Sequence, residues 1–248
     1  MEVSSISRVI SHPRNISLMV RLVRFHALIA SRNLTWVWEF VTEQNAGRDN
    51  TYHNNAHMAS VALACSELFQ IEARHLPSDD IDLLLVAAML HDFNHSGGAL
   101  SDKENIALAL EHGVDAIHEN LVRQFGKKFP EAVTRLIRVT EFPFVYEPDT
   151  TLESILRDAD ALQSVEPNGV ELIMEGLRTE MAAKFGRTPT HKEMADGQIK
   201  FFDSLTLFTN TAKSIFAHAR PHVEAAFLAY ADVRENHVGL GEGVSVQG

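Results

Sequence analysis

At 248 residues, 45% of them hydrophobic and 22% charged, the chain has an ordinary globular composition with room for a sizeable core, which excludes a disordered protein. Its net charge of −11, with no basic run, argues against long nucleic acid or an anionic membrane as partner and leaves open a small anion held at a metal. Cys65 is the sole cysteine, no apolar run reaches the roughly 20 residues that span a bilayer, and Met1–Ile10 lacks the pattern of a signal peptide, so a cytoplasmic protein without an intrachain disulfide is expected.

Apolar residues recur three and four apart in nearly every segment and strict alternation is rare, which predicts an all-α chain. The spacing predicts helices over 14–31 and 34–45, the second carrying Trp36, Val37 and Phe40, followed by a loop with Gly47, Asp49 and Asn50. A helix over 52–74 opens at Tyr52-His-Asn-Asn-Ala-His57 and stops before Pro77. The next, 79–93, has Asp79, Asp80 and Asp82 in its first turn, where the helix dipole favours negative charge, and then the apolar run Leu83–Leu90. Gly97-Gly98 marks a turn, and Ser101-Asp-Lys-Glu104 is a capping box starting another helix. Further helices are predicted over 113–125, 130–141 and 151–163, the last opened by the box Thr150-Thr-Leu-Glu153. A helix over 168–185 closes at Gly186, and Thr190-His-Lys-Glu193 starts a long one running to about Ala219. Pro221 opens a last helix, and 239–248 reads as a frayed tail. No repeat, low-complexity tract or linker divides the chain, so one domain over 1–248 is expected.

Chemistry concentrates where the apolar run ends, at Met89-Leu-His-Asp-Phe-Asn-His95. A helix apolar on all sides should not end in two imidazoles and a carboxylate unless something compensates, and a metal ion does so with the fewest groups. His53 and His57 are four apart, as are His91 and His95, so each pair shares a helical face. A further carboxylate is expected on a third helix, where Ile155-Leu-Arg-Asp-Ala-Asp-Ala-Leu162 places Asp158 and Asp160 mid-helix, against their propensity. Asp160, flanked by Ala159 and Ala161, is taken as the ligand, and Asp158 as a residue behind the ligands or on the surface, paired with Arg157 or a neighbour.

His57, His91-Asp92 and Asp160, in that order, resemble the H…HD…D signature of the HD metal-dependent phosphohydrolase superfamily. Within it, Tyr52-His-Asn-Asn-Ala-His57 and His91-Asp-Phe-Asn-His-Ser-Gly97 are similar to the YHNxxH and HDxxHxG motifs of class I cyclic nucleotide phosphodiesterases. Lys103-Glu-Asn-Ile-Ala-Leu108 resembles that family's LENHHLA segment, and Gln198-Ile-Lys-Phe-Phe-Asp203 the segment with its purine-binding Gln and stacking Phe. The likeness spans roughly 50–210 and implies a multi-helix HD/phosphodiesterase-like domain.

By that resemblance His57, His91, Asp92 and Asp160 would bind a first metal, zinc, and Asp92 would bridge to a second, magnesium or manganese, with iron an alternative. His53 would be the general acid, a task its near-neutral intrinsic pKa suits. His95 would hydrogen-bond the attacking water or the second metal's waters, and Glu104 would orient His53 or a metal-bound water. Tyr52, Gln198 and Phe201 would meet a small nucleotide substrate: an amide can bond a purine edge and a Phe face can stack on the ring. The sequence departs from the family where Ala99 and Leu100 follow HDxxHxG and where Ile106 and Ala107 replace the two His of LENHHLA, both near the second metal's outer shell. The implied activity is hydrolysis of a cyclic or other small nucleotide phosphodiester. A nucleotide phosphomonoesterase, a di-iron HD oxygenase and a non-catalytic nucleotide sensor are the alternatives.

Overall fold

The computed structural model describes residues 13–166 and 169–239, and the regular elements among them are helical. In chain order the α-helices are α1 (Pro13–Ser31), α2 (Thr35–Gln44), α3 (Asn55–Glu72), α4 (Asp80–Leu90), α5 (Asp102–Leu108) and α6 (His118–Phe125). They continue with α7 (Phe129–Arg138), α8 (Thr151–Leu162), α9 (Arg178–Phe185), α10 (His191–Ser204) and α11 (Asn210–Gly239). The all-α expectation is met. No helix among the described residues is long and apolar enough to cross a membrane.

The core sits where the sequence is apolar on every side. Leu84, Leu85, Val86, Met89 and Leu90 of α4 are fully buried, each worth about 1.5–3 kcal/mol of transfer free energy relative to exposure. Helix α4 lies between α3, α7, α2 and α8, and α3 also runs along α8. The last turn of α4, and with it His91, is thereby carried into the interior. The two boxes foreseen at Ser101 and Thr150 form, and Thr190 makes a third, each side chain accepting from the backbone N–H three residues on.

Several boundaries differ from expectation, each for a local reason. Helix α3 starts at Asn55, because Asn54 caps it by accepting from Ala56 N and His57 N, so His53 precedes the helix. Helix α4 ends at Leu90, and Asn94 then turns the chain with a left-handed φ of 62°. The long helix expected from Thr190 to Ala219 stops at Ser204 and restarts at Asn210, with Pro221 inside α11. The break is held by Asp158, whose buried carboxylate accepts from Phe208 N, Thr209 N and Thr209 Oγ1 at 2.7–3.1 Å. Pro221 is tolerated on the exposed side of α11, as is Ala217, whose carbonyl loses the bond that a proline cannot donate. Residues 109–114 continue α5 as a π-helical turn, and 172–177 form a second such turn leading into α9. The expected start of a helix at 168 and the tail beyond 239 lie outside the described residues.

Candidate metal centre and active site

Three helices deliver the metal-ligand candidates. His57 comes from the first turn of α3, His91 and Asp92 from the end of α4, and Asp160 from the last turns of α8. His57 Nε2 lies 3.1 Å from Asp160 Oδ1 and 3.3 Å from Asp92 Oδ2. His91 Nε2 lies 3.3 Å from Asp92 Oδ2 and 3.6 Å from Asp160 Oδ1. Ligands about 2.0–2.1 Å from a tetrahedral cation stand about 3.3–3.4 Å apart, so the donor set fits a divalent ion.

The protonation of His91 makes the same point. Its Nδ1 faces the Ala88 carbonyl at 2.9 Å and must donate to it, so in the neutral ring Nε2 bears a lone pair. That lone pair points at Asp92 Oδ2, and these two buried atoms have no hydrogen-bond partner. Only positive charge reconciles them. Burial opposes ionisation of His91, yet the carboxylates of Asp92 and Asp160 outweigh it and lift the imidazole well above its ordinary pKa. Burial also works against the two carboxylates, but His91 holds Asp92, and His57 with His91 hold Asp160, below the usual carboxylate range. A proton can relieve one such contact; the ligand atoms of His57, His91 and Asp160, within 4.8 Å of one another and with Asp92 Oδ2 against both imidazoles, suit a metal.

Beside this set lies a second cluster whose donors are already taken. His53 Nδ1 is 2.6 Å from Glu180 Oε2, while Glu180 Oε1 accepts from Tyr52 N at 2.5 Å and His53 N at 3.1 Å. The His53 ring stacks on His95, centroids 4.0 Å apart. His95 in turn receives the Gly97 N–H on Nδ1 and faces the Asn105 amide nitrogen through Nε2, an amide fixed by Ser96 N donating to its oxygen. Burial and the neighbouring His53 push His95 down to about 4, so it stays neutral. For His53, burial favours the neutral ring, but the Glu180 hydrogen bond and the carboxylates around it raise its pKa. The ligand atoms of His53, His95 and Glu180 lie within 4.8 Å of one another, yet Glu180 already accepts from Tyr52 N, His53 N and His53 Nδ1, and His95 Nδ1 takes the Gly97 N–H. Hydrogens already engage Glu180, His53 Nδ1 and His95 Nδ1, which ranks this cluster below the first as a place for an ion.

This geometry corrects two expectations and adds a residue. The carboxylate of Glu104 accepts from Ser101 N and Ser101 Oγ and is spent on the cap of α5, away from His53. Asp158 is the anchor of the turn before α11 described above and pairs with neither Arg157 nor the surface. The residue that orients His53 is Glu180 on α9, which the sequence reading missed. Its signal is faint: a carboxylate between Leu177 and Met181 with no motif around it.

Two close approaches put Glu180 in place. A Cβ on Gly98, where φ is +86°, would lie 2.4 Å from the Glu180 carbonyl oxygen, and one on Gly176 would lie 2.6 Å from the Thr51 carbonyl oxygen. Only at glycine can the segment 172–185 rest directly on the turns bearing His53 and His95. Thr51 Oγ1 fastens the contact by donating to the Gly176 carbonyl at 2.7 Å.

Both clusters open into one cavity of about 880 Å³, whose walls include His53, His57, Asp92, Asp160, Gln198 and Phe201. Tyr52 also lines it, packed against the His57 ring with centroids 5.2 Å apart, and burial pushes its phenol far above the usual range. Gln198 is buried, and its amide forms no hydrogen bond among the described residues. Lys184 and Lys200 line the cavity, exposed and without an ion pair among the described residues, although the chain is acidic overall.

Residues 56–164 match the model of the HD domain family, a span that contains His57, His91, Asp92 and Asp160 but not His53, Glu180, Gln198 or Phe201. No curated protein matches the chain in sequence. Among solved structures, the fold is similar to that of the phosphodiesterase domain of the RhoPDE fusion protein from the choanoflagellate Salpingoeca rosetta. The TM-score is 0.61 over 92% of this chain and 95% of that one, at 15% identity.

Proposed function

We propose that this chain, which carries an HD domain on a phosphodiesterase-like fold, is a metal-dependent phosphohydrolase acting on a phosphodiester of a small nucleotide. The observation that carries the reading is that His57, Asp92 and Asp160, with the buried His91 Nε2 against both carboxylates, share one cavity with a histidine whose Nδ1 side is held by Glu180. His57, His91, Asp92 and Asp160 would hold the first ion, zinc, and Asp92 would share a second, magnesium or manganese, completed by water. Such ions neutralise phosphate oxygens and lower the pKa of a water nucleophile.

The chain's own groups do the rest. Glu180 takes the Nδ1 side of His53, which leaves Nε2 as the atom that passes a proton to the departing ribose oxygen. His95, kept neutral, supports the His53 ring by stacking without competing for that proton. Lys184 and Lys200 favour the approach of an anion. The unbonded Gln198 amide offers a donor and an acceptor to a purine edge, beside the Phe201 face.

The test is hydrolysis of cyclic AMP, cyclic GMP and a panel of nucleoside monophosphates, with and without chelator, alongside elemental analysis of protein purified without added metal. Chelator-sensitive turnover of a cyclic nucleotide with zinc, magnesium or manganese bound is expected. Iron as the bound metal, or turnover that survives chelation, would overturn the proposal.

A further inference from the structure

We propose that Asp102 is a positioning residue that sets an aromatic corner, Phe142 against Phe201, as the receiving surface for the planar part of the substrate. The inference deepens the reading above and rests on it for the identity of the reacting group.

Asp102 is the first residue of α5, but the cap of that helix is made by Ser101 and Glu104, so its carboxylate is free for other work. It lines the cavity, and Oδ2 accepts the backbone N–H of Phe142, 40 residues away, at 2.5 Å. Burial pushes the Asp102 carboxyl up to about 6, against the pull of that hydrogen bond. A carboxylate that only began a helix would sit in solvent.

The segment 139–146 is gripped from its other side by Arg157 on α8. That buried guanidinium donates to the Val139 carbonyl at 2.7 Å and to the Tyr146 carbonyl, and it lies 4.2 Å from the Phe144 ring centroid. Held at both ends, the loop still leaves Phe142 41% exposed. The Phe142 and Phe201 centroids are 5.4 Å apart with planes at 72°. Two rings near a right angle form a corner in which a heterocycle stacks on one and meets the other edge to face. A substrate that is only a sugar phosphate has nothing to place there.

The experiment compares binding of adenosine 5′-monophosphate, guanosine 5′-monophosphate and ribose 5-phosphate by calorimetry in wild type, F142A, D102A and D102N. F142A and D102A should weaken one or both nucleotides by about tenfold, within the range of base–aromatic stacking, and leave ribose 5-phosphate and bound metal unchanged. Asp102→Asn keeps an oxygen that can accept from Phe142 N and should recover most of the loss. With a cyclic nucleotide substrate, the same variants should raise KM and leave kcat in place. The inference falls if F142A and D102A bind nucleotides as wild type does, if D102N is as impaired as D102A, or if wild type binds ribose 5-phosphate as tightly as the nucleotides. Absence of phosphodiester turnover in wild type with nucleotide binding intact would overturn the hydrolase reading and leave the corner standing.

Discussion

His57, His91 and Asp160 on one side of the cavity, and His53, His95 and Glu180 on the other, are each two imidazoles and a carboxylate, and the two sets lie side by side. In the first, the buried His91 Nε2 has no hydrogen-bond partner, and neither has Oδ2 of the adjoining Asp92. In the second, His53 Nδ1, His95 Nδ1 and both Glu180 oxygens already share a hydrogen. The same functional groups therefore arrive at different chemistry through the backbone N–H groups and amides supplied around them. Unsatisfied donors call for a cation, whereas satisfied ones fix where a proton sits.

The sharpest way to break this comparison is Asp160→Asn. Removing one carboxylate from the open set should lose the bound metal and lower kcat/KM by well over about 100-fold, since even outer-shell changes cost 10–100-fold. Chelator should lower the Tm of wild type and leave the variant's Tm unchanged, because an ion that binds only the folded state stabilises it. Elemental analysis and calorimetric melting check this, and full metal content in Asp160→Asn would end the distinction.

Asp158 sharpens it from the same helix. Two residues before Asp160, it is fully satisfied by Phe208 and Thr209, so its loss should act on the fold. Asp158→Ala leaves two backbone N–H groups without an acceptor and should cost about 3 kcal/mol in denaturant unfolding, with metal bound at full stoichiometry in the folded fraction.

On the proton-holding side, Glu180→Gln should retain the metal and lower kcat by about 10-fold to 100-fold, a part of what a general acid contributes. As the proposed general acid, His53 would have to be protonated to act, and the Glu180 carboxylate raises its pKa against burial. The uncharged amide removes that support and the pKa falls, so the alkaline decline in kcat should begin at lower pH than in wild type. A pH profile that keeps its position would show that Glu180 does not govern the proton.

The same contrast explains what could be read from the sequence. The open set was legible because a metal's ligands stand at motif spacing, and because the apolar run before His91 left only the interior for it. Cap residues were legible at Ser101, Thr150 and Thr190, since a capping box is local. Glu180 was not: it meets His53 across 127 residues, through a π-helical turn and two glycine contacts that leave no pattern in the chain. The interruption of the helix expected from Thr190 to Ala219 was hidden similarly, because the group that holds residues 205–209 open is Asp158, about 50 residues earlier.

The smallest effect is expected at Glu104, and it tests that account from the opposite direction. Sequence likeness gives Glu104 the task of orienting His53, whereas its carboxylate closes the α5 cap on Ser101 and lies in solvent. Its lowered pKa follows from those Ser101 hydrogen bonds, the side chain first and the backbone second, so nothing in the cavity is sensed by it. Glu104→Ala should therefore leave kcat, metal content and the pH profile at wild-type values and loosen only the first turn of α5, seen as faster amide hydrogen exchange there. A drop in kcat comparable to that of Glu180→Gln would mean that the cap residue swings into the cavity during turnover, and that two carboxylates share His53.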